Sequence, residues 1–330
     1  MTERKVKAIG LISGGLDSLL AAKVLQDQNI DVLGISFATP FWDCEMAVRA
    51  ATEAGIPIRV VDISHEHLEI VKNPRYGYGS NMNPCIDCHG LMLRVAGRIM
   101  EEEGADFIFT GEVLGQRPMS QRRDALRSVE KLSRYEGIIL RPLSAKLLPE
   151  TEPEKKGLVD REKLLAIRGR SRKEQMKLAE TYGLKTYATP AGGCLLTKEG
   201  FSRKLKKLLE IMPDAEVRHI EMIKSGRLCV IGDRAILFVG RNAADNKRLD
   251  TLTSSPEEIR LKVLGIPGPR GILCGGYDND RIELAASIVA AFSDADPDDM
   301  VTVELTKEEG IETVTVKPID RRRIDTFLVR

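Results

Sequence analysis

Three cysteines carry the densest chemical potential in this chain. Cys85 and Cys88 stand two residues apart in Asn83-Pro84-Cys85-Ile86-Asp87-Cys88-His89, and Cys194 lies far downstream in Ala191-Gly192-Gly193-Cys194. A thiolate is both a nucleophile and a soft metal ligand, so four chemistries are open for the first pair. Cys-x-x-Cys-His is the attachment signature of c-type haem, but that chemistry needs export and nothing in the sequence directs it. Thioredoxin-like exchange fits poorly, because the pair follows a long loop instead of the first strand. Zinc fits, with His89 or Cys194 completing a tetrahedral set. So does a [4Fe-4S] cluster on Cys85, Cys88 and Cys194 with one iron left open. Cys44, Cys229 and Cys274 are solitary and read as small buried residues.

A second constellation is Ser13-Gly14-Gly15-Leu16-Asp17-Ser18, directly after the apolar run Ala8-Ile9-Gly10-Leu11-Ile12. Two glycines let a backbone approach an anion closely, and the loop N–H groups with the following helix N-terminus bind phosphate oxygens. Ser13 and Ser18 add hydroxyl donors, and Asp17 is placed to hold Mg²⁺ or a backbone group. No Gly-Lys-Ser/Thr follows, so this is not a Walker A loop, and it is not GxGxxG either.

These residues need a frame. Strands are expected over 6–12, 32–37, 58–63, 107–109 and 138–140, with helices over 19–26, 45–54 and about 91–103 between them. The Asn/Gly/Pro-rich stretch 73–84 reads as a loop, and the cysteine pair opens the helix after it. Alternating strands and helices imply an α/β fold, a parallel sheet with helices on both faces, and active sites beyond the carboxyl ends of its strands. A polar excursion at 150–156 precedes a helix over 173–182. From about 201 the pattern changes to a basic helix, short strands at 228–231 and 235–239, a helix at 282–292 and a strand pair at 301–305 and 312–316. The expected domains are therefore 1–200 and a smaller α+β domain, 201–330.

Hydrophobic residues at 42% and charged residues at 30% describe a globular chain, and a formal net charge of +1 means that any nucleic-acid affinity must come from a local patch. No secretory h-region or membrane span is visible. A cytoplasmic location is expected, with no membrane partner and with reduced cysteines better read as metal or redox sites than as disulfides.

The loop Ser13-Gly14-Gly15-Leu16-Asp17-Ser18 resembles the PP-loop signature of the ATP-pyrophosphatases, which have an adenine nucleotide alpha hydrolase-like fold and include GMP synthetase, asparagine synthetase and tRNA thiolases. The resemblance implies that Ser13, Gly14, Gly15, Asp17 and Ser18 hold the pyrophosphate portion of ATP and that Ser36, Phe37 and Ala38 meet adenine. Thr110-Gly111-Glu112-Val113-Leu114-Gly115-Gln116, with Ser120-Gln121 after it, is similar to a stretch of the 4-thiouridine synthetases. By that likeness Thr110, Gly111 and Gln116 belong to the nucleotide site. The cysteine pair and the later Gly-Cys sit where thiolases of the 4-thiouridine and 2-thiouridine types carry working cysteines. Some of these use a persulfide and a disulfide; others use three cysteines and a [4Fe-4S] cluster. The three-cysteine pattern here favours the cluster, with Cys85, Cys88 and Cys194 as ligands and, with Asp17, as the catalytic set; zinc, or no metal and a persulfide, are the alternatives.

The likeness also departs from the family. A THUMP region normally precedes the PP-loop of 4-thiouridine synthetases, and none is expected here, nor a rhodanese-like tail. Instead Gly240-Arg241-Asn242-Ala243-Ala244-Asp245-Asn246 and Pro267-Gly268-Pro269-Arg270, with the helix after them, resemble an NFACT-R domain over about 215–320. Arg203, Lys204, Lys206 and Lys207 form one basic stretch and Arg122, Arg123 and Arg127 another; each reads equally as a phosphate contact or as a solvated helix face. His65, His67 and His219 have no partner at metal spacing and read as structural or surface residues. His89 is placed to orient the cysteine site.

The function expected is adenylation of a tRNA uridine carbonyl with ATP and Mg²⁺, followed by replacement of oxygen with sulfur. The partners are tRNA and a sulfide or persulfide donor, and a homodimer is left open. Two other functions compete: an amidating or small-molecule thiolating enzyme on the same scaffold, and an RNA- or ribosome-binding factor whose PP-loop domain senses nucleotide.

Overall fold

The computed structural model describes residues 4–117, 120–188, 193–252 and 255–330. They divide into two compact units, Met1–Cys194 and Leu195–Arg330. In the first, β1 (Lys7–Leu11) leads into α1 (Leu16–Gln26), and β2 (Asp31–Ala38) into α2 (Glu45–Glu53). After β3 (Ile58–Asp62) come α3 (Ser64–Lys72) and the long α4 (Cys85–Glu102). Then follow β4 (Phe107–Thr110), α5 (Arg123–Ser133), β5 (Ile139–Leu140), the single turn α6 (Glu152–Lys155) and α7 (Lys173–Thr181).

The five strands are parallel in the order β3-β2-β1-β4-β5. Their side chains show why. Successive residues point to opposite faces, and both faces here are covered: Ala8, Phe107 and Phe109 join a core with Leu16, Leu19 and Leu20 of α1. Ile9 and Ile108 join another with Leu91, Val95 and Ile99 of α4. A strand buried on both sides must be apolar at nearly every position, which is the composition of β1 and β4. From β1 the chain builds outward through β2 and β3, then returns to lay β4 on the other side. The carboxyl ends of β1 and β4 thus flank a topological switch point, where open parallel sheets bind ligands.

The second unit opens with α8 (Glu199–Ile211) and α9 (Val217–Lys224). Its antiparallel sheet runs β11-β10-β8-β9-β7-β6. The strands are β6 (Arg227–Ile231), β7 (Ala235–Val239), β8 (Ile259–Val263), β9 (Arg270–Gly275), β10 (Val301–Lys307) and β11 (Gly310–Val316); α10 (Ala243–Leu252) and α11 (Asn279–Ala291) intervene, and the single turn α12 (Arg321–Ile324) follows. Ile282, Ala285, Ile288 and Val289 of α11 pack into one core with Leu237, Leu261, Leu273 and Val303 of the sheet. A parallel α/β unit followed by an α+β unit is the fold class expected from sequence. Among the described residues no helix is long and apolar enough to cross a membrane.

Candidate active site

The loop 13–18 leaves the carboxyl end of β1 and turns into α1. Gly14 has φ +75°, and a Cβ there would stand 2.7 Å from the Cα of Ala47 in α2, so neither conformation nor space admits a side chain. Gly15 caps α1 without a side-chain bond. Its carbonyl accepts from the Ser18 N–H at 3.1 Å and the Ser18 hydroxyl at 2.8 Å. The Gly15 N–H donates to Ser13 Oγ at 3.4 Å. The first turn of α1 leaves backbone N–H groups directed out of this edge, which suits a phosphate. Gly111, at the exit of β4, closes the other side: a Cβ would lie 2.4 Å from the Ser18 nitrogen and 2.5 Å from the Asp17 carbonyl carbon. Backbone from β4 is thus pressed directly against the loop.

Asp17 is held from the same side. Gln116 Nε2 donates to Asp17 Oδ2 at 2.6 Å, and Gln175 Nε2 of α7 donates to Gln116 Oε1 at 3.1 Å. Asp17 Oδ1 is buried without a hydrogen-bond partner, as is Gln175 Oε1. Gln175 was not among the expected site residues. Its signal is faint: it shares the buried face of α7 with Ala179, a polar residue where the helical period asks for an apolar one.

Ser36, Phe37 and Ala38 end β2, beside the loop, since the Ile12 N–H donates to the Ile35 carbonyl at 2.9 Å. The ring N–H of Trp42 donates to the Phe37 carbonyl at 2.6 Å. Phe41 and Trp42 meet the His67 ring edge-on, with centroids 5.3 and 5.0 Å away. The β2 exit is therefore walled by aromatic and apolar groups. His67 is completely buried with no partner at either ring nitrogen, and burial lowers its pKa from 6.5 to about 4. Burial also pushes the Cys44 thiol up, against a hydrogen bond from Ser36.

Cys85 and Cys88 occupy the first turn of α4, one turn apart on a shared face. Asp87 between them anchors the preceding loop by accepting from the N–H groups of Arg75 (3.0 Å) and Tyr76 (2.9 Å). Cys88 is buried; Cys85 and Cys194 are half-buried. Burial raises the Cys88 thiol pKa well above its usual value, and the neighbouring Cys194 and Cys85 raise it further. Burial also raises Cys85, opposed by the charge of Arg117. Cys85 and Cys194 therefore lie within electrostatic reach of Cys88, although Cys194 is remote in sequence. The chain after α7 also reaches the loop: the Ala188 N–H donates to the Gly14 carbonyl at 2.8 Å, a parallel bridge of Ala188 to Gly15. Ala191 and Gly192, which precede Gly193-Cys194, fall outside the described residues.

A buried charge chain joins the two constellations. Glu112, next to Gly111, accepts from Arg141 Nε at 3.0 Å, from the Thr110 hydroxyl at 3.1 Å and from His89 Nδ1 at 3.1 Å. Arg141 also pairs with Glu130. Burial alone would raise the Glu112 carboxyl, but the Arg141 guanidinium and the His89 bond outweigh it and hold the pKa at about 2. The carboxylate is ionised, so His89 Nδ1 donates to it. Glu112 and Arg141 had no role assigned from sequence; a lone charge at a strand exit carries no periodic signal. The basic face of α5 is partly engaged: Arg123 donates to the Leu147 carbonyl at 2.9 Å, and Arg122 pairs with Asp124.

In the second unit His219, Glu258 and Cys274 bring ligand-type atoms within 4.8 Å of one another, a grouping invisible in the sequence. His219 Nδ1 accepts from the Glu216 N–H at 2.9 Å, so its proton sits on Nε2, 3.4 Å from Glu258. Arg218 already pairs with that carboxylate. The Cys274 thiol donates to the same carboxylate at 3.7 Å, so the three residues are tied into one buried network.

Residues 4–146 match the family described as thiamine biosynthesis protein (ThiI), and residues 226–328 match the NFACT protein RNA binding domain. The first unit contains a PP-loop domain similar to those of tRNA thiolases. The chain is 33% identical over 131 residues to the tRNA-specific 2-thiouridylase MnmA of Syntrophotalea carbinolica, covering 34% of this chain and 36% of that protein. Its likeness to MnmA of Listeria monocytogenes serotype 4b (strain CLIP80459) is 23% over 225 residues, 63% of this chain and 57% of the relative. The chain thus spans between about a third and three fifths of the length of these relatives. The crystal structure of a 4-thiouridine synthetase–RNA complex with bound ATP is 22% identical, with a TM-score of 0.35, over 66% of this chain and 52% of that one.

The PP-loop domain has donors suited to the groups such a site would bind. Asp17 Oδ1, a buried carboxylate oxygen with no partner, is a hard anionic donor of the kind Mg²⁺ takes. The Cys88 thiol, whose ionisation is opposed by burial and by the neighbouring Cys194 and Cys85, would be relieved by a cationic centre that binds thiolates, which describes an iron–sulfur cluster and, less selectively, zinc.

Proposed function

We propose that this protein is an ATP-dependent sulfurtransferase that exchanges a uridine carbonyl oxygen of tRNA for sulfur in the cytoplasm. One juxtaposition supports this above all. Gly111 abuts the backbone of Asp17 and Ser18, while the adjacent Glu112 holds His89 beside Cys88. A nucleotide on the loop and sulfur at the cysteines would meet over one strand edge.

In the first step the uracil carbonyl oxygen attacks the α-phosphorus of ATP, the bond to pyrophosphate breaks, and the base becomes an O-adenylate. Ser13, Gly14, Gly15 and Ser18 hold the departing pyrophosphate, and their donors stabilise its developing charge. Asp17 is the residue that would hold Mg²⁺. Ser36, Phe37 and Ala38 border the adenine, with Thr110, Gly111 and Gln116 opposite. In the second step sulfide forms a bond to the carbon that bears the adenylated oxygen and the C–O bond breaks, so AMP leaves with the former carbonyl oxygen and sulfur arriving as sulfide requires no net oxidation. Cys85, Cys88 and Cys194 would hold a [4Fe-4S] cluster, whose open iron position supplies a place for sulfide.

The test is nucleoside analysis of tRNA from a strain lacking the gene, paired with a purified assay for AMP and pyrophosphate. Loss of one thionucleoside and tRNA-dependent release of both products are expected. Unchanged thionucleoside content would sink the proposal.

A further inference from the structure

A groove of about 600 Å³ in the second unit is lined by Arg203, Lys206, Lys207 and Glu210 of α8 on one side and by residues 326–330 on the other, with Val230 of β6 between. The last segment is fixed there by the backbone. The Val230 N–H donates to the Phe327 carbonyl at 2.8 Å, the Val329 N–H donates to the Leu228 carbonyl at 2.9 Å, and Cys229 faces Leu328. Residues 327–329 thereby line the free edge of β6 and set Arg330 opposite the basic face of α8.

The charge around this groove is concentrated. Of the lining residues Arg203, Lys206, Lys207 and Arg330 are cations and Glu210 alone is an anion, in a chain whose formal net charge is +1. Arg203, Lys206 and Arg330 are exposed. Some are paired locally, Arg203 with Glu199, Lys207 with Glu210 and Arg330 with Asp325, but these are exposed pairs that a polyanion can exchange at small cost. Arg203 and Lys207 are one helical turn apart, so their charges form a row and not a point. A row of long flexible cations beside an apolar floor of Phe327 and Leu328 suits a run of phosphates better than a single anion.

We infer that this groove grips the phosphodiester backbone of the RNA substrate, a role that rests on the RNA-directed function above and names the surface that performs it. Its contribution is positioning, independent of sequence, and it weakens steeply with salt as counterions are released.

The test uses the full chain and a fluorescently labelled, unmodified tRNA transcript, with binding followed by anisotropy from 50 to 200 mM salt. The variant Lys206→Glu/Arg330→Glu is compared with Arg260→Glu/Lys262→Glu, which makes the same charge change at exposed positions of β8. Loss of two phosphate contacts should make the slope of log affinity against log salt shallower by about two and weaken binding at least roughly tenfold at 50 mM, with the thermal midpoint unchanged. The β8 variant should stay near the parent. Parent-like binding by the groove variant, or an equal loss in both variants, would overturn the assignment. Binding needs no turnover, so a groove that binds RNA in a protein that fails to thiolate would strike the reaction and leave the groove standing.

Discussion

Gln116 Nε2 lies 2.6 Å from Asp17 Oδ2, which fixes the loop carboxylate through one oxygen and leaves the other buried and unpartnered. In Asp17→Asn the amide must turn its oxygen to Gln116, which places its NH₂ where the free oxygen stood, facing any cation. The fold should tolerate this within about 1 kcal/mol, since the hydrogen bond survives. Mg²⁺ with ATP should raise the thermal midpoint of the parent and leave that of the variant unmoved. Equal stabilisation of both would remove Asp17 from the nucleotide site.

The cysteines separate into two groups by placement. Cys194 and Cys85 both act on the charge of Cys88, whereas Cys44, Cys229 and Cys274 are buried and show no such mutual influence. Protein purified without oxygen should hold about four iron and four acid-labile sulfide per chain. Alanine at any of the first three should abolish this content, and alanine at any of the second three should leave it intact. One zinc without iron, or a reactive persulfide, would preserve the ATP chemistry and refute the cluster.

Glu112 makes acid stability measurable. Its folded pKa, about 2, lies below the usual 4.5, so the ionised group contributes stability that is complete above 4.5 and disappears as pH falls towards 2. Glu112→Gln leaves the buried Arg141 with only Glu130 as a charge partner and should cost about 3 kcal/mol near neutrality. In urea unfolding, the variant should lose less stability than the parent between pH 4.5 and 2. A parallel decline in both would show that Glu112 is not the group responsible.

His67 acts in an adjoining window with a different origin. The unfolded chain takes up a proton below 6.5, while the folded chain resists until about 4, because the charged ring would be stranded among Phe41 and Trp42. The unfolded state binds more protons there, so stability falls as pH drops from 6.5 to 4, by at most about 3 kcal/mol. His67→Phe should flatten this stretch and surpass the parent at pH 5. Urea midpoints at pH 7 and pH 5 decide it; the same decline in both proteins would contradict the assignment.

β1 and β4, which flank the loop, were legible because both-sided burial makes them apolar runs, whereas the half-exposed β3 was read from Ile58, Val60 and Val61. α3 was not legible, since Ser64–Lys72 mixes two histidines with charges and has its apolar residues, Leu68, Ile70 and Val71, crowded into its second half beside the buried His67. In α5 the stripe Ala125, Leu126 and Val129 was present but masked by arginines, which drew attention to charge instead of period. β8 alternates Ile259, Leu261 and Val263 with Arg260 and Lys262, a half-buried strand too short to stand out beside its glycine- and proline-rich neighbours. At the site, the loop and the cysteine pair declared themselves by composition. Gln175, Glu112 and Arg141 did not, because their roles arise from tertiary hydrogen bonds that no local spacing encodes.

The hydrogen bond from Ala188 to Gly14 ties a segment remote in sequence onto the glycine-rich loop. The two cannot then move independently: any shift of Gly14 must either carry Ala188 with it or break the bond. Whatever occupies the loop is thereby felt beyond α7, a mechanical link made from one backbone contact.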